Sequence, residues 1–138
     1  MRKEIINDLM KIAVKESMIS ARKGNRPFGA VLAGKAGKII VKAHNTIKTN
    51  LDITAHAEIN LLKKAFKKLK TVDLSKYVIV VNAEPCAMCA TACIKAGIKE
   101  FYYGAPRGKN SNPDISLEEV IQKSKGKIIY NKSFTPSG

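Results

Sequence analysis

The chain has 138 residues, of which 45% are hydrophobic, and its 25 basic and 11 acidic side chains give a net charge of +14. This length and composition predict a single globular domain over residues 1–138 with a buried core. The sequence has no run of 18 apolar residues, which excludes a transmembrane helix, and acidic residues near its start argue against a signal peptide. Three cysteines, an odd number, favour a cytoplasmic protein without a disulfide framework.

The excess of positive charge has two interpretations. Lysines spread along the whole chain are typical of a solvated surface, but a basic surface can also bind an acidic partner such as RNA. Charge alone does not distinguish the two.

Apolar periodicity and turn residues predict a helix, a hairpin and then alternating helices and strands. Residues 34–37 form the hairpin turn, Asp52 or Thr54 caps the next helix, and Pro85 and Gly97 bound a third. Because strand–helix–strand units form right-handed crossovers onto one sheet, the expected fold is α/β, a three-layer α/β/α sandwich with a mixed five-stranded sheet. The predicted elements are helices over 3–22, 54–69, 85–96 and 116–124, strands over 28–34, 38–45, 77–81, 101–103 and 127–130, and loops over 46–53 and 105–114.

Two short motifs supply three metal ligands. His56-Ala57-Glu58 is followed about thirty residues later by Pro85-Cys86-Ala87-Met88-Cys89. One imidazole and two thiolates suit zinc, and a tetrahedral zinc with three protein ligands keeps its fourth position open for water. His-x-Glu followed by Pro-Cys-x-x-Cys is the signature of the zinc deaminases.

Both motifs are expected where helices begin. Residues two apart on a regular helix point to nearly opposite sides, so His56 and Glu58 can converge on one ion only from an irregular first turn. Cys86 and Cys89 are three residues apart and share one face of the other first turn. A helix N-terminus also favours thiolate over thiol, and zinc binds the thiolate.

The predicted chemistry is hydrolytic deamination. Glu58 takes a proton from the activated water and passes it to a ring nitrogen of the substrate, whose exocyclic amine leaves as ammonia. A structural zinc module is the alternative from a different class, and it would need a fourth ligand. Cys93 is expected to pack in the core, and His44, the only other histidine, lies at the end of a predicted strand.

On these residues the chain resembles the cytidine deaminase-like superfamily, and most closely its guanine deaminase and tRNA adenosine deaminase branch. The matching segments are residues 27–32, Asn45, residues 52–58 and residues 84–89. The resemblance implies that Glu58 is catalytic. It also implies that Zn²⁺ is held by His56, Cys86 and Cys89.

The resemblance also implies contacts to the substrate. The Asn45 amide offers both a donor and an acceptor to a base edge, although asparagine is also common in turns. Phe28 resembles the guanine deaminases and either packs on a base or belongs to the core, while Glu84 resembles the purine-deaminating members. Asp114 matches a pocket acid but is equally suited, like Ser116, to cap the helix at 116. The expected substrate-binding residues are Asn45, Phe28, Ala57, Glu84 and Asp114.

The function favoured by this resemblance is deamination of a free purine base, with guanine converted to xanthine and ammonia. The alternatives are adenosine-to-inosine deamination of tRNA and, after that, deamination of cytosine, cytidine or deoxycytidylate. The expected partner is a small-molecule nucleobase, whereas tRNA is a possible partner that is not favoured. The resemblance also implies a homodimer, because members of the family usually assemble as dimers or higher oligomers, and no membrane partner is expected.

Overall fold

A computed structural model describes residues 1–107, 114–124 and 129–131 of the chain. Helices and strands alternate along it much as the sequence pattern predicts. The elements are α1 (Lys3–Arg22), β1 (Gly29–Gly34), β2 (Ile39–His44), α2 (Ile47–Asn50), α3 (Ala57–Leu69), β3 (Tyr77–Ala83), α4 (Ala87–Lys95), β4 (Glu100–Ala105), α5 (Leu117–Lys123) and β5 (Ile129–Asn131).

One mixed sheet organises these elements. Its strand order is β2-β1-β3-β4-β5. Strand β1 is antiparallel to both of its neighbours, whereas β3, β4 and β5 run parallel to one another. In the register, Leu32 lies opposite Ile79, and Val81 lies opposite Tyr103. The predicted α/β class and the mixed character of the sheet are therefore confirmed.

Helices cover both faces of the sheet. Alternate side chains of β1 and β3 point to opposite faces, so Val31 and Val80 pack with α1, while Leu32 and Ile79 pack on the other side with α3, α4 and α5. Both strands are buried on both faces, as the continuous β-branched run of β3 predicts. Within the described residues, no helix combines the length and the apolar character that crossing a bilayer requires.

Helix α1 crosses the start of β1 at very close range. A Cβ atom placed on Gly29 would lie 2.2 Å from the carbonyl oxygen of Ala13 and 2.6 Å from the amide nitrogen of Ser17. Both atoms belong to the helix backbone and cannot rotate away. Glycine is therefore the residue that lets α1 lie against the strand leading out of the Phe28 segment.

Helix α3 begins at Ala57, three residues later than predicted. The expected cap, Asp52, instead accepts hydrogen bonds from the amide and the hydroxyl of Thr54, at 2.8 and 2.7 Å. These bonds close a separate turn, and the chain then stays extended at His56. The prediction that Asp52 or Thr54 caps the helix is wrong.

Three further boundaries differ from the prediction or refine it. Helix α4 begins at Ala87 rather than at Pro85, and a short helix, α2, lies within the predicted loop over 46–53. The hydroxyl of Ser116 accepts a hydrogen bond from the Glu119 amide at 3.1 Å, so Ser116 is the cap of α5.

Two predicted segments lie partly outside the described residues. The loop over 105–114 includes residues 108–113, and the strand over 127–130 includes residues 127 and 128. The described part of that strand is β5, which pairs with β4.

Strand β2 forms one edge of the sheet, and two lysines of α3 cover it. The ammonium group of Lys64 donates to the carbonyl oxygen of Lys42 at 3.0 Å, and that of Lys68 donates to the carbonyl of Ile40 at 2.9 Å. The lysines are one helical turn apart, and the two carbonyls are two residues apart on the strand, so the spacings of helix and strand match.

We expect Gly29→Ala to destabilise the fold by about 2 kcal/mol or more, because the added methyl group meets helix backbone that must shift to make room. Gly34→Ala is the matched control, since the nearest atom to its Cβ is 4.0 Å away. We expect the control to change stability by no more than about 1 kcal/mol. Urea denaturation of the two variants measures the difference, and equal midpoints would contradict the close approach at Gly29.

Candidate metal centre and active site

Two of the predicted metal ligands occupy the N-cap positions of two helices. His56 precedes α3 with φ −69° and ψ 158°, and Cys86 precedes α4 with φ −72° and ψ 171°, both extended. Neither side chain makes a hydrogen bond that caps its own helix. The imidazole and the thiol are therefore available to an ion placed at the two helix N-termini, as the position of the motifs predicts.

The three ligand atoms lie at distances that suit a tetrahedral zinc ion. His56 Nδ1 is 3.6 Å from Cys86 Sγ and 3.4 Å from Cys89 Sγ, and all three atoms lie within 4.8 Å of one another. Zinc bonds of about 2.0 Å to nitrogen and 2.3 Å to sulfur, at a tetrahedral angle, place nitrogen and sulfur about 3.5 Å apart. In the described part of the chain no fourth residue joins this group, so one tetrahedral corner is left for a non-protein ligand.

Hydrogen bonds inside the cluster determine where its protons lie. The pKa of Cys86 falls to about 4, chiefly because the Cys89 thiol donates a hydrogen bond to it, with His56 donating another. The same bond raises the pKa of Cys89, which is the donor. The pKa of His56 is raised mainly by its bond to Cys86, and this rise is opposed by burial and, to a smaller extent, by the positive charge of Arg26. The cluster thus holds a thiolate at Cys86, and a thiolate is the form of cysteine that binds a metal dication.

Glu58 lies beside this cluster and is buried, with 5% of its surface exposed. Burial raises the pKa of Glu58 to about 7, and the negative charge of Cys86 adds to the rise. A carboxyl group with such a pKa can both accept and release a proton near neutral pH. It has the property that the predicted proton carrier needs.

The metal cluster and Glu58 open into one cavity of about 200 Å³. A larger groove of about 660 Å³ lies between α4 and α5, but its lining includes none of the three metal ligands. The chemistry therefore belongs to the smaller cavity. Its lining residues are Arg26, Phe28, His56, Glu58, Val81, Ala83, Glu84, Cys86, Pro106 and Arg107.

The structure brings some of the predicted substrate-binding residues to the cavity and not others. Phe28 and Glu84 line it. Asn45, Ala57 and Asp114 are not among the described residues that line the cavity. Ala57 is buried in the core, and Asp114 is exposed ahead of α5. Contact of any of these five residues with a substrate stays a prediction.

Asn45 is 1% exposed and is held by its neighbours. Its amide oxygen accepts a hydrogen bond from the Ile47 amide at 3.0 Å, and its backbone amide donates to the carbonyl of Phe28. This asparagine therefore has a structural role at the start of α2, in addition to the substrate contact that the resemblance implies.

The segment that carries Phe28 is fixed by Asn82 at the end of β3. The Asn82 amide oxygen accepts from the Gly29 amide at 2.8 Å, and its amide nitrogen donates to the carbonyl of Pro27 at 2.9 Å. These two bonds bracket Phe28 on either side. They fix the backbone on both sides of Phe28, whose side chain lines the cavity.

The other side of the cavity is tied to α5. The backbone amide of Glu84 donates to the carbonyl of Ala105 at 2.7 Å, and its carboxylate accepts from the Leu117 amide at 3.2 Å. Arg107 donates to the carbonyl of Ile115. The ends of β3 and β4 and the start of α5 therefore form one connected wall.

The remaining histidine and cysteine serve other purposes. His44 Nδ1 lies 3.0 Å from a carboxylate oxygen of Glu16, and its Nε2 lies 3.5 Å from the Lys23 ammonium. Cys93 is buried in the core of the α3–α4 layer, where burial raises the pKa of its thiol. Neither residue joins the metal cluster.

Sequence reasoning missed Arg26 and Arg107 as cavity residues. Arg26 directly precedes the Pro-Phe-Gly segment, and Arg107 directly follows β4. The available signal was positional, because the carboxyl ends of adjacent parallel strands, here β3 and β4, share one edge of a sheet and form ligand sites there.

Residues 3–105 match the family described as the cytidine and deoxycytidylate deaminase zinc-binding region. The chain belongs to this deaminase family. It is a zinc-dependent hydrolytic deaminase that acts on C–N bonds, and zinc is its metal.

Relatives with curated names are similar over most of the deaminase. It is 38% identical over 96 residues to the tRNA-specific adenosine deaminase of Aquifex aeolicus, a match covering 70% of the chain but 63% of that protein. It is 35% identical over 116 residues to the tRNA-specific adenosine deaminase of Rickettsia bellii, covering 83% of the chain and 80% of that protein.

Solved structures give the same superfamily. One comes from studies of A-to-I editing by tRNA:A34 deaminases at the wobble position of transfer RNA, with a TM-score of 0.78, 28% identity, and coverage of 90% of this chain and 97% of that one. A guanine deaminase from Bacillus subtilis has the same 28% identity but a TM-score of 0.70, covering 93% of this chain and 84% of that one.

These relatives contradict the prediction that guanine, or another free purine base, is the substrate and that tRNA is not the favoured partner. Curated relatives at 35–38% identity are named as tRNA-specific adenosine deaminases, and the guanine deaminase resembles the fold less closely. The Phe28 side chain, on which the guanine prediction rested, is present in the cavity wall but does not identify the base.

We expect Cys89→Ala to lose zinc and activity together, because two ligands bind zinc far more weakly than three. Cys93→Ala is the matched control on the same helix. It removes a core thiol, and we expect it to keep one zinc per chain despite some loss of stability. Elemental analysis of the purified variants measures the metal, and a Cys89→Ala protein with full zinc content would show that the cluster is not the metal site.

Proposed function

We propose that this deaminase converts adenosine to inosine in the anticodon of tRNA, at the wobble position. The observation that carries the proposal is the identity of 35–38% to relatives named as tRNA-specific adenosine deaminases, over 70–83% of the chain. The net charge of +14 is in keeping with an RNA substrate, since a basic protein gains affinity for a phosphate backbone.

The donor set fits zinc. One imidazole and two thiols at tetrahedral spacings would hold the ion through His56, Cys86 and Cys89. When bound, zinc supplies Lewis-acid activation of a water nucleophile. The fit also explains why the two N-cap side chains leave their own helices without a cap.

Glu58 moves the protons. Its carboxylate takes a proton from the attacking water as the water oxygen bonds to C6 of adenine, and delivers that proton to the ring nitrogen N1. Glu58 then takes the proton of the added hydroxyl group and delivers it to the exocyclic nitrogen. The bond from C6 to that nitrogen breaks, so that ammonia leaves and inosine, with a carbonyl at C6, remains. The pKa of Glu58 near 7 allows both directions of transfer in one turnover.

The cavity suits a single base removed from its neighbours in the RNA. Phe28 and Val81 give it apolar walls, and its polar lining includes two metal ligands, the carboxyl groups of Glu58 and Glu84, and two arginines. A volume of about 200 Å³ admits one planar ring system, so the adenine must be unstacked from the loop before it enters. A loop nucleotide meets this requirement at lower cost than a base-paired one.

The substrate proposal predicts that an anticodon stem-loop RNA with adenosine at its wobble position is deaminated by the zinc-loaded protein. Inosine is measured by nucleoside chromatography after digestion, beside ammonia release from free guanine, adenine and cytosine. We expect inosine from the RNA and at most slow release from the free bases. Turnover of guanine with no inosine in the RNA would overturn the proposal.

Glu58→Gln is expected to lower the rate on the same RNA by about 100-fold or more, because the amide cannot carry the protons. The variant should keep its zinc, since none of the three metal ligands changes. Single-turnover kinetics with metal analysis of the same sample separate the two effects. A near-normal rate would remove Glu58 from the mechanism.

A further inference from the structure

Arg26 occupies a distinctive place at the catalytic cavity. It lies in the segment between α1 and β1, its side chain is exposed, and it lines the same cavity as the metal ligands and Glu58. A residue in this position can contact both a base inside the cavity and the rest of the substrate to which that base is covalently bonded.

The backbone at Arg26 is fixed by hydrogen bonds. The Ser20 hydroxyl lies 2.6 Å from the carbonyl oxygen of Arg26, and the Phe28 amide donates to that same oxygen at 2.9 Å. The Asn82 bond to Pro27 secures the next residue. The guanidinium is therefore presented from a rigid base rather than from a free loop.

The neighbouring residue strengthens this support. Asn25 is 6% exposed, and its amide oxygen accepts from the backbone amides of Lys48 and Thr49 at 2.9 and 3.1 Å. Its amide nitrogen donates to the Thr49 hydroxyl at 2.8 Å. Asn25 thus joins the Arg26 segment to α2, so the two loops before the metal histidine hold one another in place.

Arg26 makes no ion pair with any of the described residues. No carboxylate oxygen among them lies within 4 Å of its guanidinium. Arg107 brings a second guanidinium to the same cavity, although one of its nitrogens donates to the carbonyl of Ile115. The cavity lining therefore carries two guanidinium groups, and the Glu84 carboxylate that shares the lining accepts a hydrogen bond from the Leu117 amide.

A free purine base has no negatively charged group that could pair with these guanidinium groups. Adenine and guanine are uncharged at neutral pH, whereas a nucleotide inside an RNA strand has a phosphate on each side of its sugar. A guanidinium matches two phosphate oxygens with two parallel N–H donors, a geometry that an ammonium group does not reproduce. The exposed Arg26 guanidinium at the cavity therefore suits a base that is still part of a strand.

We propose that Arg26 binds the RNA phosphate next to the nucleotide whose base enters the cavity, and so makes a strand rather than a free base the preferred substrate. This inference rests on the proposed tRNA function and adds a specificity-determining residue to it. Phosphate contact by Arg26 positions the strand while the cavity walls and the metal cluster act on the base.

The test compares Arg26→Gln, Arg26→Lys and Arg2→Gln with the wild-type protein on the anticodon stem-loop RNA. Arg2→Gln is the matched control, because it removes the same charge from an exposed arginine. Arg2 precedes α1 and follows Met1, whose amine pairs with Glu100 at the beginning of β4. That end of β4 is opposite to the cavity, where Arg107 follows the strand.

We expect Arg26→Gln to lower kcat/KM for the RNA about tenfold or more, the effect of losing a charge-assisted hydrogen bond. Arg26→Lys should recover part of the loss, since it keeps the charge but not the paired donors. Arg2→Gln should stay within about twofold of wild type, because an exposed remote charge is screened.

The salt dependence provides the readout that a merely structural role would not move. Loss of one phosphate contact to a single strand makes the plot of log kcat/KM against log salt concentration shallower by about 0.7. We expect this change in Arg26→Gln and not in Arg2→Gln. Zinc content and melting temperature of each variant show whether the fold is intact.

The outcomes separate the two proposals. Wild-type protein that forms no inosine in the RNA overturns the tRNA function, and the Arg26 assignment with it. Wild-type protein that forms inosine, together with Arg26→Gln that keeps the wild-type salt slope, overturns the Arg26 assignment alone. A loss in Arg26→Gln that is equal for RNA and free adenosine, with an unchanged slope, also overturns it, since the arginine would then act on the base.

Discussion

The active site depends on two helices whose N-cap residues give their side chains to a metal instead of to the helix. An N-cap side chain ordinarily accepts a hydrogen bond from a free helix amide, and losing that bond costs about 1 kcal/mol. His56 and Cys86 both give up this bond. Metal binding contributes a far larger free energy, so the helices can begin at the ion, and their free amides and dipoles then favour the thiolates that bind it.

Much of the fold follows from local sequence pattern. The β-branched run over 77–81 is a strand buried on both faces, and Gly97, with φ +90°, ends α4 as a residue that tolerates the left-handed region. The starts of α3 and α4 were placed too early, because several residues compete to open each helix. Asp52 closes its own turn with Thr54, and α3 begins after His56, whose side chain contacts Cys86 and Cys89 about thirty residues away.

The candidate site also contains residues that local sequence predicts and residues that only the fold brings together. The three metal ligands and Glu58 lie in two short motifs, so spacing and ligand chemistry were enough to predict that they meet. Arg26 and Arg107 are 81 residues apart and come together only through the order of the strands in the sheet. The substrate was the weakest inference, because a phenyl ring such as that of Phe28 packs against the face of any base and so carries little information about which base it is.

The lysines on α3 affect how the molecule behaves at high concentration. The outer edge of β2 would otherwise offer unpaired carbonyl groups to a strand from another molecule, which is how sheets grow into polymers. Lys64 and Lys68 already occupy two of those carbonyls, and their ammonium groups place charge where an incoming strand would have to dock. Two of the many lysines in this chain thus oppose the pairing of the β2 edge with a strand from another molecule, an effect that does not depend on nucleic acid.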